Sequence, residues 1–126
     1  MIRFAALLVL TAMSAAASAL DHSEVLPDPL EAGWQGESVC EKLHDDAKLR
    51  LLRCSFAPNV GHERHFHAPH VGYVIAGGRM RITDASGTRT VDVPSGSVFS
   101  SPSGIEWHEV LNVGETTSIF LIYEYK

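Results

Sequence analysis

The chain has 126 residues, of which 45% are hydrophobic and 20% are charged, and its formal net charge at pH 7 is −5. This composition is typical of one ordinary globular domain and excludes a disordered chain. The acidic balance, with no cluster of lysines and arginines, argues against nucleic acid as a partner.

Residues 1–19 have the layout of a secretory signal peptide. A positive start at Arg3 precedes an apolar run from 4 to 13, and a stretch of small residues ends in Ala17-Ser18-Ala19. The apolar run is too short for a membrane span, which needs about 20 residues. We therefore predict cleavage after Ala19, no membrane association of the mature chain, and a periplasmic or secreted location in a bacterium. A retained anchor or a buried helix is the alternative.

The next segments are a lead-in and a predicted hairpin. Residues 20–36 hold two prolines and two glycines and predict an extended lead-in before a domain at 37–126. Two β-type runs then flank a turn centred near Ala47, which places Cys40 opposite Cys54. An oxidising compartment would allow a disulfide there. The alternative is two small buried apolar residues, and a one-residue change of register would remove the bridge.

The remainder of the chain alternates short β-type runs with turns. Turns at 77–78, 84–87, 94–96, 102–104 and 112–115 separate these runs. No segment after residue 19 shows a sustained 3.6-residue period, so no helix is expected. The pattern predicts an all-β fold, a small antiparallel barrel or jelly roll, in which side chains alternate between the interior and the outside.

Histidines are concentrated in one short segment. Four of the seven histidines fall between positions 62 and 70. His65 and His67 are two residues apart, so on a strand both imidazoles lie on the same face. If that face is the barrel interior, the pair can bind one metal ion, and imidazole suits Zn, Cu, Fe and Ni. A solvated histidine patch is the alternative for the pair taken alone.

Two blocks resemble the motifs of the cupin superfamily, and of its small single-domain, conserved-barrel members in particular. Residues 61–78 resemble the first motif, with a glycine, a His-x-His pair and a hydrophobic strand that ends in glycine. The residues that match the second motif are Gly96, Pro102, Gly104, His108 and Asn112. The second motif carries one extra residue before His108. The resemblance implies a double-stranded β-helix barrel with a metal ion inside it.

The resemblance also implies metal ligands. The motifs imply His65, His67 and His108. We add His70, which gives a predicted set of four histidines. The first-motif glutamate is missing: counting seven residues back from Gly77 puts His70 in its place, whereas counting from Gly78 puts Val71 there, which cannot ligate. Family members with histidine at this position occur. Because proline cannot sit in a paired central strand, a bend at Pro69 could turn His70 inward.

The ligand set predicts the type of metal. Four neutral imidazoles would leave a divalent ion its full charge and make it more electrophilic. We expect one divalent transition metal, Fe, Zn, Cu, Ni or Mn, rather than magnesium or calcium, which prefer oxygen ligands. Since ligating histidines must be neutral, loss of metal is expected below about pH 6.

Other residues receive simpler interpretations. Those expected in the core are Tyr73, Ile75, Phe99 and Phe120. The glutamates near the motifs, any of which could be a general base, are Glu63, Glu106 and Glu109. The sequence selects none of them, so no catalytic residue is assigned. His62, just ahead of the ligand pair, could support the ligands from behind.

Three functions stay open at this point. The first is a metal-dependent enzyme of the dioxygenase, isomerase or lyase type that acts on a small molecule. The second is a non-catalytic module that binds a small ligand or the metal, and the third is a structural barrel without a functional metal. An acid or base inside the pocket, beside an open metal position, would favour an enzyme. The resemblance further implies a homodimer.

Overall fold

The computed structural model describes residues 24–126. The predicted signal peptide, its cleavage site and the first residues of the lead-in lie outside this range. The strands are β1 Gly33–Trp34, β2 Glu37–Ser38, β3 Cys40–Asp45, β4 Leu49–Phe56, β5 Gly61–His67, β6 His70–Ala76, β7 Gly78–Asp84, β8 Gly87–Val93, β9 Val98–Ser101, β10 Ile105–Asn112 and β11 Ser118–Tyr125. Within the described range, no helix is long and apolar enough to span a membrane.

The nine longer strands form two antiparallel sheets. One sheet has the order β5-β10-β7-β8 and the other the order β3-β4-β11-β6-β9. The chain crosses repeatedly between the sheets, so strands adjacent in sequence, such as β4 and β5, lie in different layers. The two short strands of the lead-in pair with each other, Gly33 opposite Ser38. The predicted all-β antiparallel jelly roll is confirmed.

The β3–β4 hairpin carries the two cysteines. Cys40 faces Cys54 in the register, and a disulfide joins them, with both residues buried in the core. A β-bulge between Lys42 and His44 shifts the pairing near the turn by one residue. Because the bulge lies on the turn side of the cysteines, it leaves their pairing centred on Ala47.

In strand β6 the side chains of Tyr73 and Ile75 point away from the core, opposite to the prediction. Tyr73 is 41% exposed and Ile75 is 45% exposed, so the prediction that both lie in the core is wrong. His70, Gly72 and Val74 point inward instead. The reason is the break at Ala68–Pro69, which restarts the two-residue alternation at His70.

The core lies between the two sheets. Its buried members are Cys40, Leu52, Cys54, Phe56, Met80 and Ile122, and Phe99 and Phe120 pack against them, as predicted. Gly72 is required beside Phe99, because a Cβ built on that glycine would overlap the aromatic ring. On the far side of the five-stranded sheet, an outer apolar face is formed by the exposed side chains of Tyr73, Ile75, Val98 and Tyr123.

Candidate metal centre

Two adjacent strands of the four-stranded sheet bring three of the predicted ligands together. His65 and His67 lie on β5, and His108 on β10 faces His65 in the register. Between Ile105 and His108 the β10 strand advances three residues while β5 advances two. This bulge accommodates the extra residue of the second motif and keeps the His108 side chain at the site.

The three imidazoles converge on a small volume. The Nε2 atom of His65 lies 3.0 Å from Nε2 of His67 and 3.0 Å from Nε2 of His108. Two nitrogens about 2.1 Å from one ion are about 3.0 Å apart at a right angle and about 3.4 Å apart at the tetrahedral angle. The observed spacing therefore fits neighbouring ligands of a single transition-metal ion. The ligand nitrogens of all three residues lie within 4.8 Å of one another.

A backbone hydrogen bond sets the tautomer of His65. Its Nδ1–H donates to the carbonyl oxygen of Glu63 at 2.6 Å. With the proton on Nδ1, the Nε2 atom keeps its lone pair and turns it towards the other two imidazoles. His65 is therefore prepared as a ligand before any ion binds.

His70 lies beside this group rather than inside it. Its side chain is buried, and its ring centroid is 4.8 Å from that of His67. The Nδ1–H group donates to the carbonyl oxygen of Ala68 at 2.8 Å, which leaves Nε2 free to accept or to ligate. The compact group defined by ligand-atom distances contains three histidines without His70. Its role as the fourth ligand stays a prediction.

His62 supports the site from behind. Its ring stacks on that of His65 with centroids 3.7 Å apart, and its Nε2–H faces the carbonyl oxygens of Pro29 at 3.1 Å and Ala32 at 3.3 Å. A nitrogen used in this way is not available to a metal. His62 therefore fixes the lead-in against the barrel and holds His65 in place, a role that the sequence suggested only through proximity.

Burial keeps the cluster neutral. Burial first, and the neighbouring imidazoles after it, lower the pKa of His67 and that of His108 to about 2. Burial also lowers the pKa of His65, and that of His62 to about 3. Neutral imidazole is the form that binds metal. The release of metal expected below about pH 6 stays a prediction.

The site opens into a cavity of about 470 Å³. Apolar side chains form most of its wall, among them Phe56, Met80, Phe99, Val110, Phe120 and Ile122. The volume is within the range of small-molecule pockets. Such a wall would exclude water and favour a ligand with a substantial carbon skeleton.

The glutamates considered as general bases do not line this cavity. Glu109 pairs with Arg64 on the surface, and Glu63 accepts a hydrogen bond from the backbone of Gln35. Among the described lining residues the one carboxylate is that of Asp84. Hydrogen bonds from Ser86 and then Arg89 lower its pKa to about 2. It is consequently a poor proton acceptor at neutral pH.

The chain is similar in fold to several proteins of known structure. No protein-family model and no curated protein sequence matches the chain. A cupin domain from Bordetella pertussis superposes with a TM-score of 0.65 at 21% identity, over 70% of this chain and 92% of its own. The polyketide cyclase RemF from Streptomyces resistomycificus superposes with a TM-score of 0.60 at 23% identity, over 87% of this chain and 80% of its own. A predicted oxalate decarboxylase from Thermotoga maritima superposes with a TM-score of 0.52 at 19% identity, over 69% of this chain and 79% of its own.

These similarities show the fold of the chain. It has the cupin fold that the resemblance of its two motifs implied. The group of three histidines lies inside the barrel and is able to hold a metal ion.

Proposed function

We propose that this protein is an exported metalloenzyme that acts on a small, largely apolar molecule. One divalent transition metal would be held by His65, His67 and His108, with His70 as a fourth ligand. The observation that carries the proposal is the convergence of three imidazoles, two of them buried and one half-buried, in the wall of a largely apolar cavity. The ion would supply Lewis acidity or, if it is iron, a site for dioxygen.

The protein's own residues have separable roles in this proposal. The imidazoles carry no charge, so no ligand bonded to the ion would offset its charge, which would be available to an oxygen atom of the substrate. The apolar wall binds the carbon skeleton and excludes water. Two proteins of the same fold support an enzymatic role, since one is a polyketide cyclase and the other a predicted oxalate decarboxylase. Because a fold hosts many functions, this support does not extend to the reaction.

A non-catalytic binding module is the second candidate. It is favoured by one specific observation, which is that Asp84 is the one carboxylate among the described lining residues and both of its oxygens are already engaged. Chemistry that needs a carboxylate base would then lack one. A reaction driven by the metal alone would be unaffected by this shortage.

The first test is metal content, measured by mass spectrometry on the natively exported, untagged protein. We expect about one equivalent of a transition metal in the wild type and its loss in a His65→Ala/His67→Ala double variant. His44→Ala is the matched control, since His44 is an exposed histidine in the β3–β4 hairpin. Absence of stoichiometric metal from the wild type would refute the proposed function.

The second test separates the two candidates. The metal-loaded protein is incubated with a panel of small aromatic and aliphatic ketones and carboxylic acids, and both binding and product are measured. Metal-dependent product formation supports the enzyme. Binding at the same site without conversion of any bound compound, in air and with the native metal, supports the module.

A further inference from the structure

The buried carboxylate of Glu124 lies behind the predicted ligand His67. Glu124 on β11 is only 2% exposed, and its Oε1 atom lies 3.6 Å from Nδ1 of His67. Neither atom has a hydrogen-bond partner among the described residues. Two buried polar atoms that face each other in this way cost free energy unless they pair.

The other oxygen of Glu124 is firmly held. Its Oε2 accepts a hydrogen bond from Nε of Arg50 at 2.7 Å, and Nη2 of Arg50 forms an ion pair with the same oxygen at 2.6 Å. Arg50 in turn donates from Nη1 to Asp28 of the lead-in at 2.8 Å. Asp28 also accepts the backbone N–H groups of Leu30 and Glu31, which fixes the far end of this chain of contacts. The carboxylate is therefore positioned independently of His67.

The imidazole cluster leaves two tautomers open to His67, and the carboxylate of Glu124 favours one of them. The Nε2 atom of His65 has a single lone pair, and the Nε2 atoms of His67 and His108 both lie 3.0 Å from it. Only one of the two can donate to it. If His108 does so, His67 carries its proton on Nδ1, where a carboxylate oxygen faces it. The opposite tautomer would set the Nδ1 lone pair of His67 against a negative charge.

We propose that Glu124 is a positioning residue for the metal ligand His67. It accepts a hydrogen bond from Nδ1–H of His67 and so keeps the Nε2 lone pair directed at the metal. The present separation is about 0.7 Å longer than a charge-assisted hydrogen bond of about 2.9 Å, so a small rotation of either side chain closes it. A carboxylate behind a ligating histidine is a recurrent device for fixing its tautomer and raising its basicity.

Glu124 also places a negative charge close to a set of predicted ligands that contains no carboxylate. Glu124 and Asp28 carry two negative charges against the one positive charge of Arg50, which leaves one uncompensated negative charge beside the imidazoles. The lost first-motif glutamate would have bonded to the ion directly. Here the compensating carboxylate acts through His67. This inference rests on the proposed function, because it assigns the residue that prepares one ligand of the same site.

The test uses Glu124→Gln. The side-chain oxygen of glutamine must face Arg50, so its NH₂ group is turned towards His67 and favours the wrong tautomer. We expect affinity for Zn²⁺, measured by chelator competition, to fall about 10- to 100-fold. Glu41→Gln is the matched control, since Glu41 is an exposed carboxylate paired with an arginine on an outer strand, and its affinity should stay within twofold.

A second readout separates positioning from a structural effect. Long-range ¹H–¹⁵N NMR of the metal-free protein reports the His67 tautomer directly: we expect the Nδ1–H form in the wild type and the Nε2–H form in Glu124→Gln. An Nε2–H tautomer in the wild type would overturn the inference, even if the variant fails to fold. Unchanged zinc affinity in a folded variant would overturn it too. Failure of the wild type to bind metal would instead count against the proposed function, with the tautomer still deciding the role of Glu124.

Discussion

Acidification of the metal-free protein tests how deeply the imidazole cluster is buried. Burial lowers the pKa of His67 and His108 to about 2 and that of His62 to about 3. In the unfolded chain the same groups titrate near their ordinary pKa of about 6.5. Between these limits the unfolded chain binds more protons than the folded one. The free energy of unfolding therefore decreases as the pH falls below about 6.5, and it levels off only near pH 2 to 3.

The size of this decrease in stability follows from the difference between the pH of the experiment and the ordinary pKa of histidine. At pH 5 each unfolded imidazole is about 1.5 units below its ordinary pKa, and one unit corresponds to about 1.4 kcal/mol. Each of the three histidines then costs the fold about 2 kcal/mol, or about 6 kcal/mol together. Because a domain of this size is stable by about 5–15 kcal/mol, this cost should remove a large part of the stability of the metal-free protein at pH 5.

Urea denaturation followed by circular dichroism measures the effect, on protein treated with chelator at pH 7.5 and at pH 5. We expect a large fall in the urea midpoint at the lower pH, and its partial recovery with saturating Zn²⁺, which binds the folded state. His44→Gln should show the same fall, since His44 is exposed. A wild-type midpoint that hardly changes between the two pH values would refute the reasoning.

Three further predictions concern the framework. Replacing Cys40 and Cys54 by serine should reduce the free energy of unfolding by about 3 kcal/mol, as expected for a bridge across 14 residues, and a loss below about 1 kcal/mol in urea would contradict this. Gly72→Ala should force Phe99 from its place and cost about 1–3 kcal/mol, so an unaltered melting temperature would be inconsistent with the packing. The expected homodimer would cover the outer apolar face, so Tyr73→Lys should give monomers in light scattering, whereas a monomeric wild type would rule the dimer out.

The local pattern of the chain was enough to predict the architecture. Alternation between polar and apolar residues and the frequent turns are properties of short segments, and they define strands whatever their partners. The pairing of Cys40 with Cys54 followed from a hairpin, in which a short turn fixes the register. The spacing of His65 and His67 placed both on one face, because side chains alternate between the two faces along a strand. The signal peptide, the export and the identity of the metal stay predictions.

The same patterns could not decide which side of a strand faces the core when both sides carry apolar residues. In β6 the residues Val71, Tyr73 and Ile75 alternate with Val74 and a small residue, so either set could point inward. The direction was decided by the break before His70, which restarts the alternation. Tyr73 and Ile75 consequently lie outside, contrary to the expectation.

Sequence alone determined the pattern of strands and turns and the shared face of His65 and His67, and it offered the cysteine bridge as one of two alternatives, because each depends on contacts within a hairpin or on the two-residue period of a strand. Only the tertiary structure decided which groups stand behind those histidines. Glu124 reaches His67 because β11 lies between β4 and β6, and His62 binds the carbonyl oxygens of a lead-in segment about thirty residues earlier. Such contacts depend on the order of strands in a sheet and on the packing of one sheet against the other, and no local period of the chain records either of them.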